Sequence, residues 1–442
     1  MARGFIKGDR KQMMLLPASI DEWVGQDHPV RFIFACLEQM QLGCFYESYA
    51  AEGRPPYDPK TMLGILIYAY SNGMRSSRKI SRACEEHVPL RWMSANIAPD
   101  HRAICRFRAR HEADFKRIFS ETLRLCAAAG LVKLGQLFVD GTKVAANAAL
   151  SASYSLEHIS KILEEAEAVD QAEDQAFGDS QGDDRLPKDL ATAQQRIKRI
   201  QEAKTRLDDE LKRKQTEQAQ KVKEHEQSGP KRGRKPKAAD EVTLEKKANV
   251  TDPDSRIMKD RKGFVQGYNC QAVVTEDQII VAPAVTQDEN DLYQLEPMLQ
   301  QTQSCLRESG LNPAVETVAA DAGYFRDDLD IEALEEDGPQ LLICTQKSHK
   351  LRRELKQNGC PKGRIPDNLT ARDRMNRRLL TKRGYAIYKK RSHTVEPVFG
   401  QIKKCLNLDR FLRRGLNAVT SEWTLVCAIS NLMKLFRQTV PA

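Results

Sequence analysis

Apolar residues recur every three or four positions through the first 130 residues. HPVRFIFACLEQM (28–40), PKTMLGILIYAYSNG (59–73) and FKRIFSETLRLCAAAG (115–130) each read as a helix with a buried face. Asn72-Gly73 and Gly130 supply the stops. Between them lie SSRKISRACEEH (76–87) and DHRAICRFRARH (100–111), two short basic-amphipathic pieces. They fit a helix-turn-helix that recognises a DNA end, and equally a helical scaffold with solvated arginines.

The period changes at Leu137. LFVD (137–140) is a short apolar strand stopping at Asp140, and GFVQGYNCQAVVT (263–275) and QIIVAPAVT (278–286) continue the strand pattern. A helix over about 290–309 follows, capped by Asn290 or Asp291. Next come a strand ending at Asp321, a helix around 327–336, a strand at 340–346 and a helical C-terminal region. This order predicts an α/β fold, one mixed sheet flanked by helices in a ribonuclease-H-like arrangement. Ligand sites in such sheets lie off strand carboxyl ends, where both aspartates fall.

The stretch 148–255 is too long for a loop. Leu190, Ala193, Ile197, Ile200, Lys204, Leu207 and Leu211 follow helical spacing, with Lys204 interrupting the seam, so a helical hairpin or short coiled coil is expected. SGPKRGRKPKAAD (228–240) follows it. Arg232 and Arg234 there resemble an AT-hook, an extended arm entering the minor groove of A·T-rich DNA; the alternative is a flexible charged linker. The chain divides into a helical domain (1–130) that holds the candidate DNA-binding pieces, the first piece of the α/β core (131–147), a charged helical insertion (148–255), and the rest of the core with C-terminal helices (256–442).

Net charge is +9, but its distribution is more informative. Lys347–Arg391 holds 16 Lys/Arg against 3 Asp/Glu, more than the excess of the whole chain. Such a block reads as a nucleic-acid surface or a solvated tail. Eleven scattered cysteines, with no CxxC pair, read as reduced thiols. The longest apolar run, Met62–Tyr70, is too short to span a bilayer, and no signal peptide is visible. A soluble, cytoplasmic protein is the expectation, with no membrane partner.

Asp140, Asp321 and Glu396 then stand out. Each alone has a plainer reading: two turn residues, and a first-turn glutamate with Thr394 as N-cap and Pro397 behind it. Together they follow the sheet order beside the small residues Gly141, Ala322 and Gly323, and Glu396 adjoins the basic block. Carboxylates so placed suit hard divalent cations acting on phosphodiesters. On a helix, Val395, Phe399, Ile402 and Leu406 form the packing stripe, while Glu396, Gly400 and Lys403 share an adjoining face. A covalent tyrosine mechanism through Tyr324 or Tyr388 lacks its cluster of arginines and histidines.

FVDGTKVAANA, DPDSRIMKDRKGFVQGYNCQAVV, VAADAGYF and YKKRSHTVEPVFGQIKK resemble bacterial insertion-sequence transposases of the Asp-Asp-Glu type, those with a Tyr-Arg-Glu-Lys signature around the glutamate. YDPKTMLGILIYAYSNGMRSSRKI is similar to the helical domain preceding that core. The resemblance implies that Asp140, Asp321 and Glu396 bind two Mg²⁺ ions, with Mn²⁺ as a substitute. It also implies that Tyr388, Arg391 and Lys403 position phosphates at the transposon end. One residue more than usual separates Arg391 from Glu396, so a continuous helix puts Arg391 on another face, and Lys389 and Lys390 are alternative phosphate clamps. The implied partners are terminal inverted repeats and target DNA, handled by a homo-oligomer. The competing readings are a nuclease of similar core without strand transfer, and a DNA-binding regulator that cuts nothing.

Overall fold

A computed structural model describes residues 19–49, 55–164, 188–227, 247–260, 263–311, 314–346, 348–366 and 368–439. The N-terminal periodicity is realised as α1 (Pro29–Gln39), α2 (Gly43–Glu47), α3 (Pro59–Ser71), α4 (Ser77–Glu86), α5 (Val88–Met93), α6 (His101–Arg110) and α7 (Phe115–Ala128). Their starts follow local chemistry. Asp58 accepts from Thr61 N–H (2.8 Å) ahead of Pro59, and Asp100 accepts from Ala103 N–H (2.7 Å). Gly73 and Gly130 adopt positive φ at the stops. Every residue from Met62 to Tyr70 is buried, as expected of that apolar run. No helix among the described residues is long and apolar enough to cross a membrane.

The main sheet is built on β1 (Gln136–Ala145) and β5 (Gly263–Thr275), antiparallel neighbours in register from Leu137↔Thr275 to Ala145↔Gly267. On the other edge of β5 lie β4 (Arg256–Asp260) and β6 (Ile280–Thr286), both antiparallel to it. β7 (Thr317–Ala320) and β8 (Gln340–Ile343) extend the sheet parallel to β1. The order is β4-β5-β1-β7-β8, with β6 also on β5. The strand that was expected to stop at Asp140 runs five residues further. Pairing with β5 carries it through Gly141, and at Gly267 the backbones approach so closely that a Cβ would lie 2.4 Å from Val144 O.

In the insertion, a helix described over residues 156–164 (α8) and α9 (Lys188–Gln227) form a small second core with the paired β2 (Ser153–Tyr154) and β3 (Ala248–Asn249). Ile200, Ala203 and Leu207 meet Ile159, Leu163 and Ala248 there. The buried seam therefore passes through Ala203, and Lys204 does not interrupt it. The AT-hook-like Arg232 and Arg234 lie outside the described residues.

After β6 come α10 (Leu295–Glu308), α11 (Ile331–Glu336), α12 (Ser348–Asn358), α13 (Ala371–Leu380), α14 (Lys382–Lys404) and α15 (Leu416–Thr439). α14 begins at its cap Thr381, which accepts from Gly384 N–H (3.0 Å), so Glu396 is not in a first turn and Thr394 is not a cap. Pro397 sits inside this continuous helix. A proline there removes one helical N–H, and the carbonyl it would have bonded, His393 O, instead accepts from Gln278 Nε2 (2.9 Å). α15 ties the helical layer to the sheet. Trp423 Nε1 donates to Gln271 O (3.1 Å), and the fully buried Asn431 bonds both the N–H and carbonyl of Ile280. One hydrophobic core runs from Val24 in the N-terminal helices to Leu435 in α15. All eleven cysteines are unpaired.

Candidate active site

The parallel pairing of β1 with β7 ends at Phe138↔Ala319. Two residues on, Asp140 and Asp321 come level, one within a strand and one just past a strand end. α14 packs against both strands and inserts Arg391 between them. Arg391 Nη1 is 2.8 Å from Asp140 Oδ2, and Nη2 is 3.7 Å from Asp321 Oδ2. Nη1 lacks hydrogen-bond alignment despite its burial, so this is a charge contact. Tyr388, one turn earlier, hydrogen-bonds the Arg391 side chain. Burial pushes the Asp140 carboxyl up to about 6, with Arg391 pulling it down and Asp321 and Asp291 adding to the rise. Burial opposes the charge on Arg391, but Asp140 and Asp321 outweigh it and raise its pKa.

Asp291 is the residue sequence reasoning misplaced. It was expected to cap a helix, but α10 starts at Leu295 after Gln294. Asp291 Oδ1 instead accepts from Asn269 Nδ2 (2.7 Å) and Gln271 Nε2 (2.6 Å). Gly141 pairs with Gln271 and Lys143 with Asn269, so these positions share the sheet face opposite Asp140. A Cβ on Gly141 would fall 2.4 Å from Gln271 Nε2 and 2.7 Å from Asp291 Oδ1. Gly323 passes equally near: its Cβ position lies 3.1 Å from Asp321 Oδ1 and 3.6 Å from Asp291 Oδ2. Lys143 Nζ is buried without a hydrogen bond, 3.7 Å from Asp291 Oδ1. Burial pulls its pKa down, against the pull of Asp291. Tyr324 is fully buried and donates to Gln271 Oε1, and burial, then the surrounding aspartates, raise its pKa. The sequence signal for Asp291 was an acid between a strand and a helix, which the capping pattern explained away.

Glu396 is exposed on α14. Five residues from Arg391, it stands roughly 140° around the helix and about 7.5 Å along it. Among the described residues no three His, Cys, Asp or Glu side chains converge closely enough to hold one metal ion. The helix is continuous, so Arg391 and Glu396 lie on different faces as expected, and it is Arg391 that points at the two aspartates. Lys403 is two turns from Glu396 and nearly eclipsed with it, and its Nζ donates to Lys143 O (2.8 Å). That hydrogen bond sets the face bearing Glu396 along β1. Lys389 is exposed, whereas Lys390 pairs with Glu276 and bonds Gln136 Oε1 (3.1 Å).

The basic block is only partly available to a polyanion. Arg372 pairs with Asp327 at 2.9 Å, and Arg374 and Arg378 pair with Glu332 and Glu335 of α11. Arg352, Arg353, Lys356, Lys362 and Arg383 remain exposed. The donor set itself fits a hard divalent cation: Asp140 and Asp321 present carboxylate oxygens and already hold a cationic group between them.

Residues 18–110 match a family described as a transposase domain, and residues 343–436 match one described as a transposase DDE domain. The second span contains Tyr388, Arg391, Glu396 and Lys403. No curated protein and no solved structure matches the chain. Matches to transposase domains in both the N-terminal and the C-terminal part of the chain support a DNA transposase. Together the two matches support the DDE type carried by insertion sequences.

Proposed function

We propose that the chain binds the terminal inverted repeats of its element, cleaves the DNA there, and joins the freed 3′ ends to target DNA. The core, residues 131–147 with 256–442, is read as ribonuclease-H-like, with a DNA-binding helical domain in front. A homo-oligomer on DNA would handle two ends together. The observation carrying this reading is the level pair Asp140 and Asp321, holding a cation between them beneath the helix that bears Glu396 and Lys403.

Asp140, Asp321 and Glu396 would hold Mg²⁺ or Mn²⁺, two ions in all. When bound, these would supply Lewis-acid activation of the attacking oxygen and neutralise charge at the leaving 3′ oxygen. In cleavage, water attacks the end phosphate and the 3′ oxygen leaves with a proton. In joining, that 3′-hydroxyl attacks a target phosphodiester, whose own 3′ oxygen leaves. Loading requires Arg391 to give up the two carboxylates, and the scissile phosphate is the anion that would take its guanidinium, oriented by Tyr388. Lys403 lies along β1 to offset charge on the transferring phosphate. Arg232 and Arg234 would add a minor-groove arm, and Lys389 a contact outside the site.

The test is a labelled duplex carrying the inverted repeat, incubated with the protein, Mg²⁺ and a target plasmid. Cleaved and joined products are expected. Cleavage without joining would favour a nuclease, and no reaction with intact DNA binding would favour a silent regulator.

A further inference from the structure

We infer that the N-terminal helical domain carries a second DNA-strand site, a groove between α6 and the Pro55–Tyr57 segment. This rests on the proposed function for its ligand but lies apart from the carboxylate pair. The groove has a volume of about 590 Å³, and its described walls include Tyr49, Tyr57, Arg106 and Arg110.

The arginines of DHRAICRFRARH divide by the turn of the helix. Arg108 points inward, buried, and bonds Tyr70 Oη (2.9 Å) and Arg75 O (3.0 Å), which makes it structural. Arg102, Arg106 and Arg110 fall at i, i+4 and i+8 and are all exposed. They form one stripe with about 6 Å between successive positions. None of the three forms an ion pair among the described residues. Asp100, which also lines the groove, acts on Arg106 through space while its carboxylate caps α6 at Ala103 N–H. A stripe of exposed guanidiniums with no ion pair among the described residues is a track for successive phosphates.

The aromatic wall completes the site. The Arg110 guanidinium lies 4.5 Å from the Tyr49 ring centre, and Tyr49 Oη is 3.2 Å from His111 Nε2, whose Nδ1 contacts Asp114 at 2.6 Å. That series of interactions holds the Tyr49 side rigid. Across the groove Tyr57 keeps 38% of its surface exposed, between Pro56 and the α3 cap Asp58. A basic track beside an exposed aromatic face is how proteins hold a single strand: phosphates on the cations, a base stacked on the ring. The occupant is therefore a DNA strand, its phosphates along Arg102–Arg106–Arg110 and one base against Tyr57.

The experiment is fluorescence anisotropy of the full chain with labelled single-stranded and duplex oligonucleotides, in EDTA so that nothing is cut, over a salt series. Arg106→Ala/Arg110→Ala should weaken single-strand binding at least tenfold and lower the log–log salt slope by about one for each phosphate no longer neutralised. Tyr57→Ala should weaken it by about fivefold or more with the slope kept, and Tyr57→Phe should restore it. Equal binding by wild type and both alanine variants, each with an unchanged melting curve, overturns the groove site alone. A wild type that binds no DNA overturns the transposase reading beneath it. Loss of duplex binding only, with single-strand binding intact, also overturns this assignment.

Discussion

Arg391 Nη1 lies 2.8 Å from Asp140 Oδ2, and the same guanidinium reaches Asp321 at 3.7 Å. A fixed cation therefore occupies the space between two acids that the proposed function would have face a mobile one. Arg391→Gln should leave Asp140 buried beside Asp321 without its counter-charge. A loss of about 1–3 kcal/mol is expected, below the cost of breaking a fully buried, aligned pair. Added Mn²⁺ should recover more stability in this variant than in the wild type. Urea melts with and without Mn²⁺ check this, and an absence of any Mn²⁺ response in both would contradict it.

The Asp140 carboxyl titrates near 6 in the folded chain, chiefly because of burial, against about 4 when unfolded. Between those values the folded state holds more protons, so the contribution of Asp140 to stability falls as pH rises from about 4 to about 6. The change amounts to at most ~3 kcal/mol. Denaturation of wild type and Asp140→Asn across that range isolates it: the wild type should lose stability relative to the variant as pH rises. A difference that stays flat would contradict the assignment.

Gly141 is bare because three polar atoms crowd the place of its Cβ. Gly141→Ala should displace Gln271, Asn269 and Asp291 together. Misplacement on the order of 1 Å near reacting groups costs about 10²-fold. Cleavage should drop by roughly that factor while circular dichroism stays native.

Asn431, 0% exposed, satisfies both backbone groups of Ile280 at 2.9 and 2.7 Å. Asn431→Leu leaves an N–H and a carbonyl of β6 unpaired in a dry core. A loss of about 2–4 kcal/mol is expected in chemical denaturation.

The features legible in the sequence were those set by local pattern. Helical spacing located α1, α3, α4, α6 and α7 but not the short α2 and α5, and strand periodicity found β5, β1, β7 and β8, which surround both aspartates. The parts that stayed hidden depend on partners distant in sequence. Asp-Gly-Thr after LFV has turn chemistry, yet pairing with β5 keeps β1 extended to Ala145. Asn290-Asp291 has cap chemistry, yet Asn269 and Gln271 draw Asp291 into the site. His393-Thr394-Val395-Glu396-Pro397 has the look of a helix start, yet Gln278 takes up the carbonyl that Pro397 leaves unpaired and α14 runs through. That continuity decides which side chain of α14 meets the aspartates, and no local rule could supply it.

Glu396 is where the account is most exposed. Because it is solvent-facing, Glu396→Ala should change stability by no more than about 0.5 kcal/mol. The decisive measurement is the labelled-end assay in Mg²⁺ with Asp140→Ala, Asp321→Ala and Glu396→Ala beside the wild type, each also tested for DNA binding. All three variants are expected to bind the repeat and yield neither cut nor joined DNA. Joined product from Glu396→Ala at the wild-type level would contradict the three-acid site.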